Sequence, residues 1–538
     1  MPLRRRATRT RAARRQPPLS EVASPVHPRK FIRDSVGYAF SQYVVRATLM
    51  LRGLIAARLL GPTTYGTWNA IQILMDYGNL ATMGSQQGLD QLVPPRIVAD
   101  DPVALRRVKR AALFNISLLT GIFMLACLAA GQFGSSRMLH MWGPLGIGAA
   151  VLCALTTNLA YYQTSIMRSH GDISTASGWM AVQGGVGGIL GLALVRPMGA
   201  WGLLLGWLVG CVAAYVFSSV RSREFAPRLP KPANESFDLI QVGFPMYLYN
   251  ASTQVMRNLD RLIILHFLGT DSLGYYSLSV MALTFLLYLP DSVTYVLYPQ
   301  LLRDFGMSGR NAASIRPRVE RVLRLSSVMV PALCGAAYLI SKPVVQILLP
   351  KFLPGVDALR VLCFGAVALA FTGLSSVVLM TLGRQLMLMP AALFSVALYA
   401  GLDLVAVRTG HGITGVAWGT LTAYLLNSVM MLLMAQAGLE IGARQSLATL
   451  LRVYTPFALS LGLAVGLTRF LPRPAHPGAV GSLVRLGVSL AIYSLVYSLG
   501  VRPLTRGLGI RRALSEFDVP IVGALVRRIG RGRPRGDA

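Results

Sequence analysis

Apolar runs of about 20 residues, the length that crosses a hydrocarbon core, recur along the whole chain. Their limits predict fourteen membrane helices, near 36–60, 65–92, 111–131, 139–165, 173–196, 199–219, 238–268, 273–302, 325–348, 357–382, 386–408, 412–437, 450–471 and 479–500. The alternating segments of about 10 residues that mark a membrane β-barrel are absent. Four runs are not uniformly apolar. Span seven carries Asn250, Gln254, Arg257, Asn258 and Arg261 on one helical face, with Asp260 and His266 near its outer half. Span one carries Ser35, Gln42 and Arg46 on one face, with Arg52 about a third of a turn away. Span two holds Asn69, Gln72, Asp76, Asn79, Gln86 and Asp90, and span eight holds Thr284, Tyr288, Asp291, Tyr295 and Tyr298.

The striped spans belong to an internal repeat. An apolar run ends at Leu60-Gly61, turns over to Gly66 and meets Trp68; 208 residues later the same order returns as Leu268-Gly269, Gly274 and Tyr276. Arg168-Ser-His-Gly171 and Thr381-Leu-Gly383 echo it at offset 212, and Ala200-Trp-Gly202 and Ala417-Trp-Gly419 at offset 217. Drifting offsets in a constant order indicate a duplicated half with small insertions. Six spans per half give the two lobes the same orientation, a parallel repeat about an axis normal to the membrane. The expected organisation is a basic tail at 1–33, an N-lobe at 34–220, a linker at 221–236 with Pro227, Pro230 and Pro232, a C-lobe at 237–437, an appended helix pair at 450–500 and a basic tail at 501–538. The last tail spaces Ile510, Leu514, Phe517, Ile521 and Leu525 as a surface amphipathic helix would, although Gly507, Gly509 and Pro520 interrupt it.

Composition agrees with a lipid solvent. The 538 residues are 54% hydrophobic and 14% charged, against about 25% charged in soluble domains. The net charge of +31 raises nucleic acid as a partner. Its distribution argues otherwise: 34 of the 52 Lys and Arg fall in the two tails and in the stretches 93–112, 220–236 and 302–324. Those stretches follow even-numbered spans, so the positive-inside rule puts both termini in the cytoplasm of an inner-membrane protein and makes anionic lipid the partner of the surplus charge. No apolar core precedes residue 33, so no cleavable signal peptide is expected. Cys127, Cys153, Cys211, Cys334 and Cys363 lie inside apolar runs without metal or redox spacing and are expected as core fillers.

A charge at mid-bilayer costs about 2.5–3.5 kcal/mol on insertion scales, so such residues face a cavity or a partner. Taken singly, each polar residue is explained by helix pairing. The stripes on both repeats together are more simply explained by a cationic cleft between the lobes. Guanidinium groups bind phosphate through a planar fork of donors. Arg46, Arg52, Arg257 and Arg261 are candidates to hold a pyrophosphate, with Gln42, Asn250 and Gln254 beside them. Asp76, Asp260 and Asp291 are candidates to order the arginines or to couple an ion. Near a helix end, His266 suits the membrane interface. Walker loops, His-Glu-x-x-His and nucleophile elbows are missing, and the short outer connections hold no catalytic domain, which argues against an enzyme. No cofactor or metal is implied.

The run Ala57-Arg-Leu-Leu-Gly-Pro-x-x-Tyr-Gly-x-Trp68, the polar span after it and Phe352-Leu-Pro-Gly-Val-Asp-Ala-Leu-Arg-Val-Leu362 resemble the Wzx-type polysaccharide flippases. These belong to the multidrug/oligosaccharidyl-lipid/polysaccharide (MOP) exporter superfamily. The resemblance covers roughly 36–500. It implies a fold of two six-helix bundles with twelve or fourteen spans, an undecaprenyl-pyrophosphate-linked oligosaccharide as cargo, and ion-driven alternating access without ATP hydrolysis. It also implies membrane lipids and glycan polymerase or assembly proteins as partners. Arginines in spans one and seven resemble the lipid II flippase branch, with its cationic cavity. Where the family commonly has Leu-Asp-Leu-Gly in span two, this chain has Ala81-Thr-Met-Gly84. Two other readings stand beside the flippase: a MATE-like exporter of drugs or small cations, whose cavity is expected to be acidic, and a non-transporting membrane component of glycan assembly.

Overall fold

The computed structural model describes residues 28–133, 137–170, 173–222, 235–470 and 479–505. Residues 223–234 of the predicted linker 221–236, most of both basic tails and the amphipathic stretch 510–525 lie outside the described residues, as do the side chains of Ser35, Gln42 and Arg46.

The described residues are helical throughout, with no strands. In chain order the α-helices are α1 (Pro28–Leu80), α2 (Ser85–Val98), α3 (Pro102–Phe133), α4 (Arg137–Ser169), α5 (Ile173–Met198) and α6 (Ala200–Ser222). Then come α7 (Glu235–Phe267), α8 (Gly269–Met307), α9 (Arg316–Leu348), α10 (Val356–Cys363) and α11 (Gly365–Thr381). The last are α12 (Leu388–Arg408), α13 (Gly412–Gly438), α14 (Ala443–Phe470) and α15 (Ala479–Thr505). Helix is present at each of the fourteen predicted spans. Eleven stretches among the described residues are long and apolar enough to cross a membrane. The spans near 36–60, 65–92 and 238–268 are not among them; these are three of the four that carry stripes.

At 53 residues α1 is two spans joined at Gly61, whose φ of 74° no L-residue adopts easily. Pro62 then opens the second span, where its fixed φ and missing N–H cost nothing. Gly269, the repeat partner of Gly61, also has positive φ (82°) and separates α7 from α8. The 208-residue offset therefore marks one local device used twice.

The predicted helix 65–92 is not continuous. It breaks at 81–84, where Met83 (φ 45°) and Gly84 (φ 94°) are left-handed, and restarts as α2. This is the segment that departs from the family pattern. Its cause lies in the other lobe. A Cβ on Gly84 would meet the Gly243 carbonyl carbon at 3.0 Å, and one on Gly88 would lie 2.1 Å from the Leu239 oxygen. The break lets α2 run backbone to backbone against α7.

The lobes meet again at the opposite end of the second span. A Cβ on Gly66 would lie 1.9 Å from the Thr270 oxygen, and one on Gly274 would lie 2.0 Å from the Pro62 oxygen. Pro62 and Gly66 stand 208 positions before Thr270 and Gly274, so this contact is pseudo-symmetric. Within the N-lobe, α5 and α6 also pack through glycines: a Cβ on Gly206 would lie 2.3 Å from the Gly191 nitrogen. Small residues at four-residue intervals are the usual means of close helix approach in lipid. In the C-lobe the most enclosed stretch is Pro350–Thr381, 78% buried over its most apolar window. The appended pair α14 and α15 docks on α9, where Ser460 and Tyr493 donate hydrogen bonds to the Pro331 carbonyl at 2.7 and 3.2 Å.

The clasp between α2 and α7 has no room for a side chain. Gly243→Val puts its first added carbon 2.0 Å from the Gly84 oxygen. Overpacking of this kind costs about 1–3 kcal/mol. A lowered thermal midpoint in detergent is expected, whereas Gly462→Val on α14, which meets nothing within 4 Å, is expected to melt like wild type.

Candidate functional site

Two chambers flank the lobe interface. The N-lobe chamber, of about 380 Å3, is walled by α1, α4, α5 and α6 and lined by Gln72, Asp76, Asn79, Tyr161, Trp179 and Trp207 among others. The C-lobe chamber is smaller, about 110 Å3, and its polar lining includes Tyr249, Thr253, Arg257, Asp291, Tyr424 and Asn427.

Asp76 and Arg261 join the lobes. The Arg261 Nη2 lies 3.6 Å from the Asp76 Oδ2, and it also donates to the side-chain Oδ1 of Asn258 one turn back. Asn258 is fully buried and holds the guanidinium in place. Arg257, one turn earlier, is exposed to the C-lobe chamber together with Asp291 of α8. Of the two guanidinium groups on this helix, Arg261 meets the other lobe and Arg257 lines the C-lobe chamber. Asn250 is exposed and Gln254 half-buried on the same helix, and neither lines a described chamber.

Arg52 does not join them. It is 8% exposed, and its guanidinium lies over Trp207 at 4.6 Å and Trp68 at 5.3 Å, a double cation–π contact. Among the described residues no carboxylate pairs with it, and its Nη2 makes no hydrogen bond. The expected cluster of four arginines is corrected accordingly: Arg261 reaches the opposite lobe, Arg257 lines the C-lobe chamber, Arg52 sits within the N-lobe, and the Arg46 side chain lies outside the described residues. The reason is angular, since Arg52 stands off the polar face of its helix, toward α5 and α6.

The stripe of span two divides at the 81–84 break. Gln72, Asp76 and Asn79 line the N-lobe chamber. Asn69, Gln86 and Asp90 instead tie the N-lobe together: Asn69 donates to the Tyr65 carbonyl, Gln86 to Asn158, and Asp90 accepts from Ser165 and pairs with Arg168 at 3.1 Å. On α8, Asp291 faces its chamber, while Thr284 bonds the Val280 carbonyl. His266 is exposed at the end of α7, its ring edge to face with Phe267.

Asp260, expected as an arginine partner, stands within electrostatic reach of Arg261, but the guanidinium is not among its hydrogen-bond donors. It is 3% exposed, accepts 2.7 Å hydrogen bonds from the Tyr276 hydroxyl and from the Arg261 backbone N–H, and faces the C-lobe interior. Within electrostatic reach stands a carboxylate that the stripes did not include, Asp403 of α12. It is fully buried and accepts from Thr420 at 3.2 Å. Gly419 makes its room, since a Cβ there would lie 2.7 Å from the Asp403 Oδ1. Asp260, Asp403, Tyr276 and Thr420 form two buried carboxylates served by two hydroxyls, a set suited to a proton or a small monovalent cation. The signal for Asp403 was available: it is the lone acid of an apolar span, and a lone charge in lipid is functional by default.

No group of three or more His, Cys, Asp or Glu side chains placed to hold a metal occurs among the described residues. Cys153, Cys211, Cys334 and Cys363 are buried and Cys127 half-buried, all as free thiols.

Solved structures with the same architecture are transporters of the MOP superfamily. The lipid II flippase MurJ in an inward closed conformation superposes with a TM-score of 0.65 at 13% identity, over 87% of this chain and 99% of that one. A MATE family multidrug resistance transporter in an inward-facing conformation gives 0.61 at 16% identity, over 73% and 94%. A MOP superfamily transporter from Pyrococcus furiosus with a binding pocket of reversed polarity gives 0.55 at 17% identity, over 77% and 96%. The fold is therefore that of a MOP-type transporter. The polysaccharide biosynthesis protein family matches residues 55–353, more than half of the chain, and the protein belongs to that family. Comparison with curated proteins gives no match.

The bridge between Asp76 and Arg261 is open to a double-mutant cycle. Asp76→Asn and Arg261→Gln, alone and together, are expected to show a coupling of about 1 kcal/mol in thermal unfolding, since the aspartate is partly exposed. Strictly additive shifts would mean that the two groups do not interact.

Proposed function

We propose that the protein is a flippase that carries a polyprenyl-pyrophosphate-linked oligosaccharide across the cytoplasmic membrane by ion-coupled alternating access. The observation that carries the reading is Arg261 of α7, held at the lobe interface by a carboxylate of the opposite lobe, with a second guanidinium, Arg257, one turn earlier on the same helix in the C-lobe chamber. A pyrophosphate competes with Asp76 for Arg261, because a guanidinium fork binds phosphate oxygens as well as carboxylate oxygens. Occupation would replace the bridge between the lobes by contacts to the cargo. Membership of the polysaccharide biosynthesis family supports the cargo class, and the likeness to a lipid II flippase supports the mode. The prenyl chain stays in lipid between the lobes while the headgroup crosses. Asp260 and Asp403 supply the coupling site: a bound proton or monovalent cation neutralises a buried carboxylate pair, and its release favours another arrangement of α7, α12 and α13. Positive stretches after even-numbered spans support cytoplasmic termini in the inner membrane. A glycan polymerase or assembly complex is the partner such a cargo requires.

Deleting the gene is expected to accumulate lipid-linked sugar on the inner leaflet and to remove surface glycan. No accumulation with unchanged surface glycan would refute the proposal. A chain carrying Arg257→Ala and Arg261→Ala, expressed at the wild-type level, is expected not to restore the glycan; full restoration would favour a non-transporting assembly component. Asp403→Asn removes the charge and keeps an acceptor for Thr420. It is expected to cut gradient-driven transport at least about ten-fold without lowering the thermal midpoint, read in proteoliposomes under imposed pH or Na+ gradients.

A further inference from the structure

The N-lobe chamber has chemistry that pyrophosphate binding does not use. Three aromatic side chains line it, Tyr161, Trp179 and Trp207, with the Tyr161 and Trp179 rings edge to face at 4.9 Å. Between them stand the side-chain amides of Gln72, Asn79 and Gln183 and the hydroxyl of Thr157. The Asn79 Oδ1 is buried without a hydrogen-bond partner. A volume of about 380 Å3 lies within the ~300–1,000 Å3 of small-molecule sites.

Neutral amides with aromatic faces suit a sugar. The axial C–H bonds of a pyranose present weakly positive hydrogens to the negative face of a π-system, and its hydroxyls both donate to and accept from amides. The same lining without the amides would suit an organic cation. Charge decides against that. Asp76 is the only carboxylate lining the chamber among the described residues, and Arg261 already faces it at 3.6 Å. A second guanidinium, Arg52, stacks on Trp207 at 4.6 Å with no carboxylate paired to it among the described residues. The chamber wall is therefore neutral to positive. The C-lobe chamber is lined differently: it has two tyrosines but no tryptophan, one side-chain amide (Asn427) and the charged pair of residues Arg257 and Asp291, and Met256, Leu287, Leu369, Leu388 and Met431 make up much of its wall.

We propose that the N-lobe chamber is the glycan subsite, binding one or two sugar residues next to the pyrophosphate, with Asn79 and Gln72 hydrogen-bonding hydroxyls and Tyr161 stacking on a ring. The proposal rests on the flippase reading and adds to it which lobe reads the sugar. Asp76 lines the chamber and touches Arg261, so the sugar site and the pyrophosphate site share one wall. Headgroup length then sets which lobe each part of the cargo meets.

Binding to purified protein in detergent tests this, read by tryptophan fluorescence, since Trp179 and Trp207 line the chamber. The probes are undecaprenyl pyrophosphate and the same lipid carrying a single hexose. Wild type is expected to bind the sugar-bearing lipid more tightly. Asn79→Leu and Tyr161→Leu are each expected to reduce that preference about three- to ten-fold, the value of one hydrogen bond or one ring contact. Both sites suit substitution: the Asn79 acceptor is unused and Tyr161 is 37% exposed. An undiminished preference in both folded variants would overturn the subsite. Failure of wild type to bind either lipid would instead overturn the flippase reading. Ethidium binding that Asn79→Leu abolishes would assign the chamber to cations and overturn the sugar assignment.

Discussion

A guanidinium inside a bilayer has few places to be. Hydrocarbon offers it no hydrogen bonds, and moving it to the interface is not open to a residue in mid-helix. It must face another protein group or water. That constraint acts on the second half of α1 and on α7, both too polar to count among the eleven apolar stretches. The second half of α1 and the whole of α7 turn their polar faces toward each other, and the bridge from Asp76 to Arg261 is where they meet. Outward faces of other helices carry the apolar exposure that lipid covers, as at Leu145, Ile189 and Leu495. The lobes are thus held by polar attraction at mid-depth and by backbone contact at both ends, through Gly66 and Gly274 at one and Gly88 and Gly243 at the other.

The parts of this arrangement that depend on local sequence were legible. Helix positions follow from the apolar runs. The repeat marks Gly61 and Gly269 as equivalent, and both adopt the left-handed backbone that the motif requires. Of the polar face of span seven, Arg261 is the residue that reaches the other lobe. What depends on distant contacts was not legible. The break at 81–84 exists because α2 must meet Gly243, some 160 residues away. Arg52 finds its partner in Trp207, a residue that no spacing rule connects to it. Even the repeat misleads at this level, because equal position in two lobes does not mean equal surroundings. Asp403 was hidden for a different reason: the stripes were sought as clusters, whereas burial makes a single carboxylate significant.

The duplicated halves share a frame and differ in chemistry. Gly202 and Gly419, partners in the repeat, both remove a side chain from a helix contact, but only Gly419 does so beside a carboxylate. Aromatic rings and amides line the N-lobe chamber. The C-lobe holds two buried acids and, on the other side of α7, Arg257. Symmetric frames allow this because helix packing is set by small residues and backbone, which duplication preserves, while chamber linings are free to diverge. In the proposed function, the divergence separates cargo recognition from ion coupling.

Those two tasks need a physical link, and α7 is the element able to supply one. Its successive residues Asp260 and Arg261 point in different directions, one into the carboxylate pair with Asp403 and the other across the interface to Asp76. The Asp260 Oδ1 also accepts from the Arg261 backbone N–H at 2.7 Å, so a change in charge at Asp260 acts on the peptide group that carries the bridging arginine. A proton or cation at Asp260 weakens its pull on that N–H and on the Tyr276 hydroxyl together. The neighbouring guanidinium then sits in a different local field, at the position where, in the proposed function, cargo phosphate and Asp76 compete. Coupling through one peptide unit needs no long pathway, only a helix whose two faces serve different lobes.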